Sequence, residues 1–433
     1  MTNVKLIAEN AKKASVILSS LSEDLKNKAL TNVAKALEVN TICIKEANAK
    51  DLANAQKLVD EGKLSLSVFN RLKADDNKIR DMIAGIYDVI KLEDPINKVL
   101  FTRELAEGLI LKKISCPIGV IGVIFEARPD VMAQISALAI KSGNAVLLKG
   151  GKETIETNSV IYRTIVDALD KTEGFPKNVI NFLISHEDVA QMLSEDKSID
   201  LIIPRGSNKL VKYIQDNTKI PVLGHASGIC HIYVDETADF DKALRIIEDS
   251  KCQYPAACNS VETVLINKNI LSDFIPVFVK KMAELGVKVN GDDECRNLDN
   301  SIGDVSEWAH EYGEKELSVK SVDDVEQAVE HINTFGSGHT DCIISENTNS
   351  VNYFMARVDS AGVYHNASTR FADGFRYGFG AEVGISTNKT HARGPVGLDG
   401  LTIYKYQMFG NSDIVAEFCS GERKFTHKNI QHK

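Results

Sequence analysis

The sequence predicts an α/β protein with two units, each built on a mostly parallel sheet. Apolar runs of strand length alternate with helical patterns, which is typical of parallel strands covered by helices on both faces. The chain has 433 residues, enough for two or three domains and a large core. It contains no internal repeat or low-complexity linker, and we expect the boundary between the units near residues 224–228.

Helices are predicted over the first hundred residues, where Ile7, Ala11 and Leu18 recur at helical spacing. In the rest of the first unit, apolar runs predict buried strands at residues 120–125, 145–149, 179–183, 201–203 and 221–223. Asp130 follows the first of these strands, and we expect it to cap a helix that extends to Ser142.

Apolar runs and helical patterns alternate again after the middle of the chain. A strand is predicted at residues 264–266 and a helix over residues 274–285. A helix over residues 325–335 then precedes a strand at 342–344. These four elements indicate a second α/β unit.

The composition is that of an ordinary soluble globular protein, with 43% hydrophobic and 26% charged residues. The net charge of −9 argues against nucleic acid as the main partner, because nucleic-acid-binding proteins usually carry a basic face. The first residues lack a signal-peptide pattern, and no apolar run is long enough to span a membrane. We therefore expect a cytoplasmic protein without a membrane partner.

Eight cysteines are scattered along the chain without C-x-x-C or zinc-finger spacing, so we expect free thiols and no metal site. Cys258 lies in a turn of small and turn-forming residues, shortly before the apolar run 264–266. A reachable thiol whose pKa is lowered can attack a carbonyl or acyl centre. The alternative is a buried cysteine that acts as a small hydrophobic residue.

Several motifs accompany the Cys258 turn in a fixed order. They occupy residues 117–129, 143–152, 204–207, 224–225, 253–263, 336–340 and 366–371. In this order and spacing, from about Glu46 to Tyr406, the chain resembles the aldehyde dehydrogenase superfamily. The windows Phe125–Pro129 and Asn366–Phe371 resemble a branch of that superfamily that reduces an acyl phosphate.

The resemblance implies an aldehyde dehydrogenase-like fold with two α/β domains and a β-flap. The dinucleotide-binding domain would span residues 1–225, interrupted by a flap at about 100–115, and the catalytic domain would span 226–390. Residues 391–433 would form a return segment, an oligomerisation strand and a tail. The patterns Leu109–Leu111 and Thr402–Tyr404 suit strands that pair across subunits of a homo-oligomer.

The resemblance also implies an activity: the NADPH-dependent reduction of L-glutamyl 5-phosphate to L-glutamate 5-semialdehyde and phosphate, in L-proline biosynthesis. Cys258 matches the nucleophile of the superfamily and would carry a thioacyl intermediate, with a neighbouring backbone N–H holding the oxyanion. Asn259 is assigned to substrate binding with Cys258. A glutamate 5-kinase that supplies the labile acyl phosphate is a candidate partner.

Two departures from the hydrolytic aldehyde dehydrogenases favour phosphate chemistry. Residues 224 and 225 are Gly and His, where those enzymes have a glutamate that activates water. Arg128 replaces their oxyanion-hole asparagine, and its guanidinium would bind the departing phosphate. The alternative is a structural arginine paired with Glu126 or Asp130.

The loop at 366–371 supplies Ser368, Thr369 and Arg370 for the amino-acid end of the substrate. The alternative is a loop cap with an exposed arginine. Four histidines, His225, His231, His339 and His365, are expected to be structural or to support the site from behind.

The predicted cofactor is NADP(H). Lys149 matches a lysine that contacts the adenosine ribose, and Lys152 would attract a 2′-phosphate, with a solvated surface lysine as the alternative. Gly206 and Ser207 match a turn that opens a helix beneath the pyrophosphate. Glu311 aligns with a glutamate that holds the nicotinamide ribose, with a solvated charge run as the alternative.

Two rival functions are kept. The first is a hydrolytic or CoA-acylating aldehyde dehydrogenase, which would release acid or need CoA instead of phosphate. The second is a nucleotide-binding interaction protein without catalysis, which would leave Cys258 unlabelled by a thiol reagent.

Overall fold

The structure is a computed structural model that describes residues 3–185, 187–224, 227–389 and 391–430. It divides into two compact units, one formed by residues 1–223 and 396–433 and the other by residues 224–395. Each unit contains a parallel sheet with helices before and after its strands, so the predicted α/β fold class is confirmed. In the described part of the chain, no helix is both long and apolar enough to cross a membrane.

The first unit begins with the predicted helices and then two long strands. These elements are α1 (Val4–Leu18), α2 (Glu23–Val39), α3 (Thr41–Asp60), α4 (Leu66–Arg71), α5 (Asp76–Lys91), β1 (Val99–Ala106) and β2 (Leu109–Pro117). The side chains of Asn3, Ser22 and Asp75 accept backbone N–H groups in the first turns of α1, α2 and α5, as helix starts require. The apolar stripe of α1 is buried at Ala8 and Ala11.

A four-stranded parallel sheet with the order β5-β4-β3-β6 forms the core of the first unit. Its elements are β3 (Val120–Phe125), α6 (Asp130–Lys141), β4 (Ala145–Lys149), α7 (Ile155–Asp170), β5 (Ile180–Leu183), α8 (Glu187–Ser194), β6 (Leu201–Arg205) and α9 (Asn208–Asp216). Every residue of β3 and β4 is buried, which explains why both were visible as uninterrupted apolar runs. The predicted strand at 221–223 is reduced to a single bridge between Val222 and Ile202.

The predicted cap at Asp130 is wrong. Asp130 is the first residue of α6, its N-cap is Pro129, and no side chain caps the helix. The carboxylate of Asp130 instead pairs with Lys78 at 3.0 Å and with Arg128 at 3.6 Å. A tertiary ion pair therefore holds the side chain that the local pattern assigned to capping.

The second unit is built on a seven-stranded parallel sheet with the order β10-β9-β11-β8-β7-β12-β13. Its elements are β7 (Cys230–Val234), α10 (Phe240–Cys252), β8 (Val261–Asn267), α11 (Leu271–Glu284), β9 (Lys288–Gly291), α12 (Asp293–Leu298), β10 (Gly303–Asp304), β11 (Glu316–Val322), α13 (Val325–Phe335), β12 (Thr340–Ile344), α14 (Thr348–Arg357) and β13 (Gly362–His365). Val264, Phe274 and Phe278 are fully buried in the core between this sheet and its helices. The helix predicted over 274–285 starts three residues earlier, at Leu271.

The chain ends with short strands and a return to the first unit. These elements are β14 (Gly384–Ser386), β15 (Gly394–Val396), β16 (Thr402–Phe409), α15 (Val415–Ser420) and β17 (Lys428–Ile430). In the first unit, β16, β2, β1 and β17 form an antiparallel sheet in this order. The strands that contain the two patterns predicted to pair across subunits, β2 and β16, pair with each other within the chain, for example Leu111 with Met408. The far side of β16 is an edge of that sheet, and the side chains of Tyr404, Tyr406 and Phe409 are exposed there.

Candidate active site

Cys258 lies in the turn that joins the end of α10 to the start of β8. Two backbone hydrogen bonds shape the turn, one from Ala257 N to the carbonyl of Tyr254 (3.1 Å) and one from Ser260 N to that of Ala257 (2.9 Å). Asn259 and Ser260 are buried, whereas Cys258 is only partly buried. The turn therefore holds the thiol at the border between the core and the solvent, where a small substrate can reach it.

Gly228 packs its backbone directly against this turn. A Cβ atom at Gly228 would overlap the Cα and carbonyl oxygen of Cys258 and lie 2.6 Å from its carbonyl carbon. The Sγ atom of Cys230, two residues later, lies 3.4 Å from the same carbonyl oxygen. Only glycine permits this approach, because both partners are backbone and neither can rotate away.

A histidine contacts the Cys258 thiol. The Nε2 atom of His339 lies 3.2 Å from Sγ of Cys258, and the Nδ1 atom lies 2.9 Å from the hydroxyl of Thr340. His339 is buried, with only 1% of its surface exposed. If the Thr340 hydroxyl donates to Nδ1, then Nε2 carries the proton that faces sulfur, which is the arrangement that stabilises a thiolate.

The loop that carries His339 is tied to the backbone beside Cys258. Ile229 N donates to Oγ of Ser337 at 2.9 Å, and Ser337 N donates to the carbonyl of Ile229 at 3.4 Å. On the other side, Ala361 N donates to the carbonyl of Gly338 at 2.9 Å. These bonds fix the position of the imidazole relative to the Gly228 backbone and to the thiol.

The predicted substrate residues Ser368 and Thr369 turn their hydroxyls inward. The hydroxyl of Thr369 donates to the carbonyl of Asn259 at 2.7 Å, and the hydroxyl of Ser368 accepts from Ser250 Oγ at 3.1 Å. The side-chain amide of Asn259 donates to the carbonyl of Ala372 at 2.9 Å. Thr369 and Asn259 therefore join the 368–372 segment to the Cys258 turn, and Ser368 joins it to α10.

Arg370 follows in the same segment, and it is largely buried at 8% exposure. Its Nε atom donates to Oε1 of Gln253 at 2.9 Å, and its guanidinium lies over the ring of Tyr254. Burial lowers the pKa of Arg370, the nearby Arg376 lowers it further, and negative charge on Cys258 raises it. A cation held in a dry position near the thiol is suited to binding a carboxylate or phosphate.

In the first unit, the predicted cofactor residues lie at the carboxyl ends of β4 and β6. Lys149 ends β4, is 7% exposed, and donates from Nζ to the carbonyl of Gly150 at 2.5 Å. Burial lowers the pKa of Lys149, while the charges of Glu153 and Asp188 raise it. Lys152 lies on the exposed turn before α7.

Gly206 and Ser207 open α9 at the end of β6, as predicted from the sequence. The N–H of Ser207 donates to Oε2 of Glu126 at 2.9 Å, and a Cβ at Gly206 would lie 2.5 Å from the same oxygen. Glu126 directly follows β3. A carboxylate of the chain thus occupies the positive end of α9, which is the place expected for the cofactor pyrophosphate.

The residues around Arg128 adopt an unusual backbone. Ala127 has a φ of 48°, and its N–H donates to Oε1 of Glu153 at 2.6 Å. The guanidinium of Arg128 lies 3.6 Å from Asp130, in the pairing that the sequence left as an alternative to phosphate binding. The Arg128 side chain is 43% exposed, so the pair leaves it accessible to solvent.

Glu311 is partly buried in the second unit, just before Tyr312. The N–H of Tyr312 donates to Oε2 of Glu262 at 3.3 Å, and the Glu311 charge contributes to raising the pKa of Glu262. Tyr312, the residue after the predicted cofactor ligand, is therefore anchored to Glu262, four residues after Cys258.

The remaining predicted histidines differ from His339. His231 is fully buried and pairs through Nδ1 with Asp341 at 3.0 Å, and His365 lies 2.9 Å through Nε2 from the carbonyl of Ser345. His225 lies outside the described residues. No group of three or more metal-binding side chains that could hold an ion is found in the described segments.

The aldehyde dehydrogenase family model matches residues 2–298, about two thirds of the chain. The chain belongs to the aldehyde dehydrogenase family. It is 59% identical over 427 residues to the gamma-glutamyl phosphate reductase of Brachyspira hyodysenteriae, covering 98% of this chain and 99% of that protein. It is 50% identical over 440 residues to the protein of the same name from Methanococcoides burtonii, covering 100% of this chain and 98% of the relative.

A solved structure agrees with these relatives. The crystal structure of gamma-glutamyl phosphate reductase from Thermotoga maritima matches with a TM-score of 0.92 and 37% identity, covering 95% of this chain and 100% of the other. The predicted family and its similarity to these reductases are confirmed. The chain is thus an oxidoreductase of a family that uses a nicotinamide cofactor.

The first unit offers features that fit such a dinucleotide. The cofactor is an anion, and two ammonium groups, those of Lys149 and Lys152, lie at the carboxyl end of β4. Gly206 has no side chain, and the space that a Cβ would fill is taken by the side chains of Leu210 and Glu126. A ligand could approach the α9 backbone closely there once Glu126 has moved. The Glu126 carboxylate and a pyrophosphate are both anions and repel each other. The carboxylate must therefore move away from the Ser207 N–H when a pyrophosphate binds at the start of α9.

His339 is the main residue of the site whose contact with Cys258 the sequence did not predict. It lies 81 positions after Cys258, and no local spacing connects the two. His339 lies in the sequence motif Gly336–Thr340, but the motif does not indicate a contact with the Cys258 thiol.

Proposed function

We propose that this chain catalyses the NADPH-dependent reduction of L-glutamyl 5-phosphate to L-glutamate 5-semialdehyde and phosphate, in L-proline biosynthesis. The observation that carries the proposal is the partly exposed Cys258 thiol, 3.2 Å from the His339 imidazole. The names of the relatives supply the substrate, and their matches extend over nearly the whole chain.

The first step is an attack of the Cys258 thiolate on the γ-carbonyl carbon of the acyl phosphate. A carbon–sulfur bond forms, the bond to the phosphate oxygen breaks, and inorganic phosphate leaves with the electron pair. His339 Nε2 stabilises the thiolate before attack and the same thiolate when it is released. The backbone N–H next to Cys258 holds the oxyanion that forms on the carbonyl oxygen.

The thioacyl group that remains on Cys258 is then reduced. NADPH, when bound, supplies the hydride for the acyl carbon. The carbon–sulfur bond breaks, the semialdehyde leaves, and Cys258 returns to the thiolate held by His339. Residue 224 is a glycine, at the position where the hydrolytic aldehyde dehydrogenases have the glutamate that activates water. Without that carboxylate, the thioester on Cys258 persists until it is reduced.

For the substrate, we assign Arg370 to the carboxylate of the glutamyl group and Arg128 to its phosphate. The hydrogen bonds of Ser368, Thr369 and Asn259 fix the 368–372 segment against α10 and the Cys258 turn. Because Arg370 lies in this segment, these three side chains support its position. The Arg128 assignment has its own test. Arg128→Ala should raise the KM for phosphate in the reverse reaction, and an unchanged phosphate dependence would leave Arg128 as a structural partner of Asp130.

For the cofactor, we assign Lys149 and Lys152 to the adenosine ribose and its 2′-phosphate. Gly206 and Ser207 hold the pyrophosphate, and Glu311 holds the nicotinamide ribose. The exposed ammonium of Lys152 supports NADP over NAD, because a 2′-phosphate gains a charge-assisted contact there.

We also propose a homo-oligomer in the cytoplasm, with a glutamate 5-kinase as a candidate partner for the labile acyl phosphate. The exposed aromatic side chains of β16 support an association between copies, since this strand is an edge of its sheet.

One assay tests the central proposal. With L-glutamate 5-semialdehyde, NADP and inorganic phosphate, the native chain should form NADPH only when phosphate is present. Cys258→Ser should be inactive under the same conditions. NADPH formation that does not depend on phosphate but requires CoA would instead identify an acylating aldehyde dehydrogenase. Release of free acid would identify a hydrolytic one.

A further inference from the structure

A fully buried ion pair lies beneath the Cys258 turn. The Nζ atom of Lys251 donates to Oε2 of Glu262 at 2.9 Å, and both side chains have 0% exposure. Burial raises the pKa of Glu262 to about 7, against the opposing effect of Lys251, and burial lowers the pKa of Lys251. The other carboxylate oxygen of Glu262 is buried without a hydrogen-bond partner among the described residues.

The position of the pair in the chain is specific. Lys251 lies in the last turn of α10, seven residues before Cys258, and Glu262 is the second residue of β8, four residues after it. The pair therefore connects the two ends of the segment that carries the nucleophile.

Glu262 also reaches a third segment. Its Oε2 atom accepts the backbone N–H of Tyr312 at 3.3 Å. Tyr312 is held from its other end, because its hydroxyl lies 2.8 Å from Ser318 Oγ and accepts from Asn290 at 3.3 Å. One carboxylate oxygen thus contacts both the base of the Cys258 turn and the backbone next to Glu311.

Stability alone explains such a pair poorly. Removing two charges from water is costly, and apolar side chains of similar volume often replace a buried ion pair without loss of stability. We propose that Lys251 and Glu262 are positioning residues that set the Cys258 turn and the Glu311–Tyr312 backbone in register, so that the nucleophile and the nicotinamide end of the cofactor meet correctly. The part that concerns Glu311 rests on the proposed function.

The test replaces the pair in two ways. Glu262→Gln removes one charge and leaves Lys251 unpaired, whereas the double variant Lys251→Met with Glu262→Leu removes both charges and keeps the volume. Four quantities are measured on each: the melting temperature, the rate of Cys258 alkylation by iodoacetamide, kcat, and the KM for NADPH. Alkylation needs no cofactor and reports on the turn alone.

The single variant is expected to melt at a lower temperature, and the double variant to recover most of that loss. If the pair sets the register, the recovered double variant still alkylates Cys258 at an altered rate and loses kcat by about tenfold to a hundredfold, since small displacements of reacting groups have effects of this size. Its KM for NADPH should rise as well. A double variant with native melting, native alkylation and native kcat and KM would overturn the proposal.

An exposed ion pair whose lysine lies on the same helix, α10, provides a matched control. Lys242 and Glu346 form an ion pair at 2.7 Å, with about half of each side chain exposed. Replacing them by Met and Leu should leave the alkylation rate and both kinetic constants unchanged. If the native chain alkylates normally but shows no phosphate-dependent turnover, the proposed function fails, whereas the alkylation comparison still decides the role of the pair in the turn.

Discussion

His339 Nε2 lies 3.2 Å from Cys258 Sγ, and this contact joins the two groups that an acyl-transfer reaction needs side by side. A free thiol is mostly protonated at neutral pH, so it needs a neighbour that favours the thiolate. The imidazole is held for that task by the Thr340 hydroxyl and by the bonds of its own loop. The pair belongs to the second unit alone, so it is formed by the folding of that unit.

Replacing the imidazole should slow the thiol. For His339→Gln, we expect Cys258 alkylation at pH 7 to fall by about tenfold or more, because the loss of a positioned imidazole that stabilises the thiolate has effects of this order. The rate should recover as the pH rises towards the ordinary pKa of a cysteine thiol. The measurement is the pH profile of iodoacetamide labelling, with His365→Gln as the control. Equal profiles for native and His339→Gln protein would show that the contact does not activate the thiol.

A methyl group at position 228 should displace the nucleophile. Gly228→Ala places a Cβ against the backbone of Cys258, where neither partner can rotate away. We expect kcat to fall by about a hundredfold, because the reacting sulfur must shift. Gly85→Ala is the control, since a Cβ there meets nothing within 4 Å. Steady-state kinetics on both variants checks this, and native kcat for Gly228→Ala would contradict the packing argument.

The charge at position 152 should decide the choice of cofactor. Lys152→Glu removes the ammonium and places a carboxylate near the expected 2′-phosphate. We expect the preference for NADP over NAD, measured as a ratio of kcat/KM values, to fall by about tenfold or more, the size of one lost charge-assisted hydrogen bond. Lys177→Glu, an exposed lysine between α7 and β5, controls for net charge. A ratio that changes equally in both variants would mean that Lys152 is a solvated surface residue.

Removing the charge of Glu126 should strengthen cofactor binding. Its carboxylate occupies the α9 N-terminus through Ser207, and an entering pyrophosphate has to displace it. For Glu126→Gln, we expect NADP to bind about threefold tighter and the free protein to lose about 0.5 kcal/mol of stability, as for a lost helix-terminus charge. Titration calorimetry and thermal melting measure the two effects.

Glu187→Gln is the control for that experiment, because Glu187 is an exposed acid in the first turn of α8, at the same edge of the sheet. It should leave both affinity and stability close to native. If Glu126→Gln binds NADP no better than the native chain does, the carboxylate is a structural cap and does not compete with the cofactor.

Part of the two sheets followed from the sequence, whereas the fully buried strand β7 was not predicted. β3 and β4 consist of residues that are almost all apolar and buried, so the local pattern alone identified them. The local sequence pattern gave a wrong prediction where a tertiary contact replaces the contact that was expected within the same segment. The Asp130 carboxylate binds Lys78 instead of capping α6, and the 221–223 run forms only one bridge.

The same division holds at the site. The Cys258 turn was predicted from its small residues, and Gly206 and Ser207 from the start of a helix. The inward hydroxyls of Ser368 and Thr369 were not, since a loop sequence does not state which way its side chains face. Nor was Glu262, which lies within an apolar strand and whose partner lies 11 positions away.

The sequence by itself determined the family and the α/β class and predicted Cys258 as the nucleophile, because these depend on local patterns and on the order of motifs along the chain. Only the tertiary structure decided what surrounds that nucleophile: His339 on the thiol, Gly228 against its backbone and the Lys251–Glu262 pair beneath it. The physical reason is that these partners come from separate elements of one parallel sheet and its helices. Their distances are set by strand order and packing, which no spacing in the chain records.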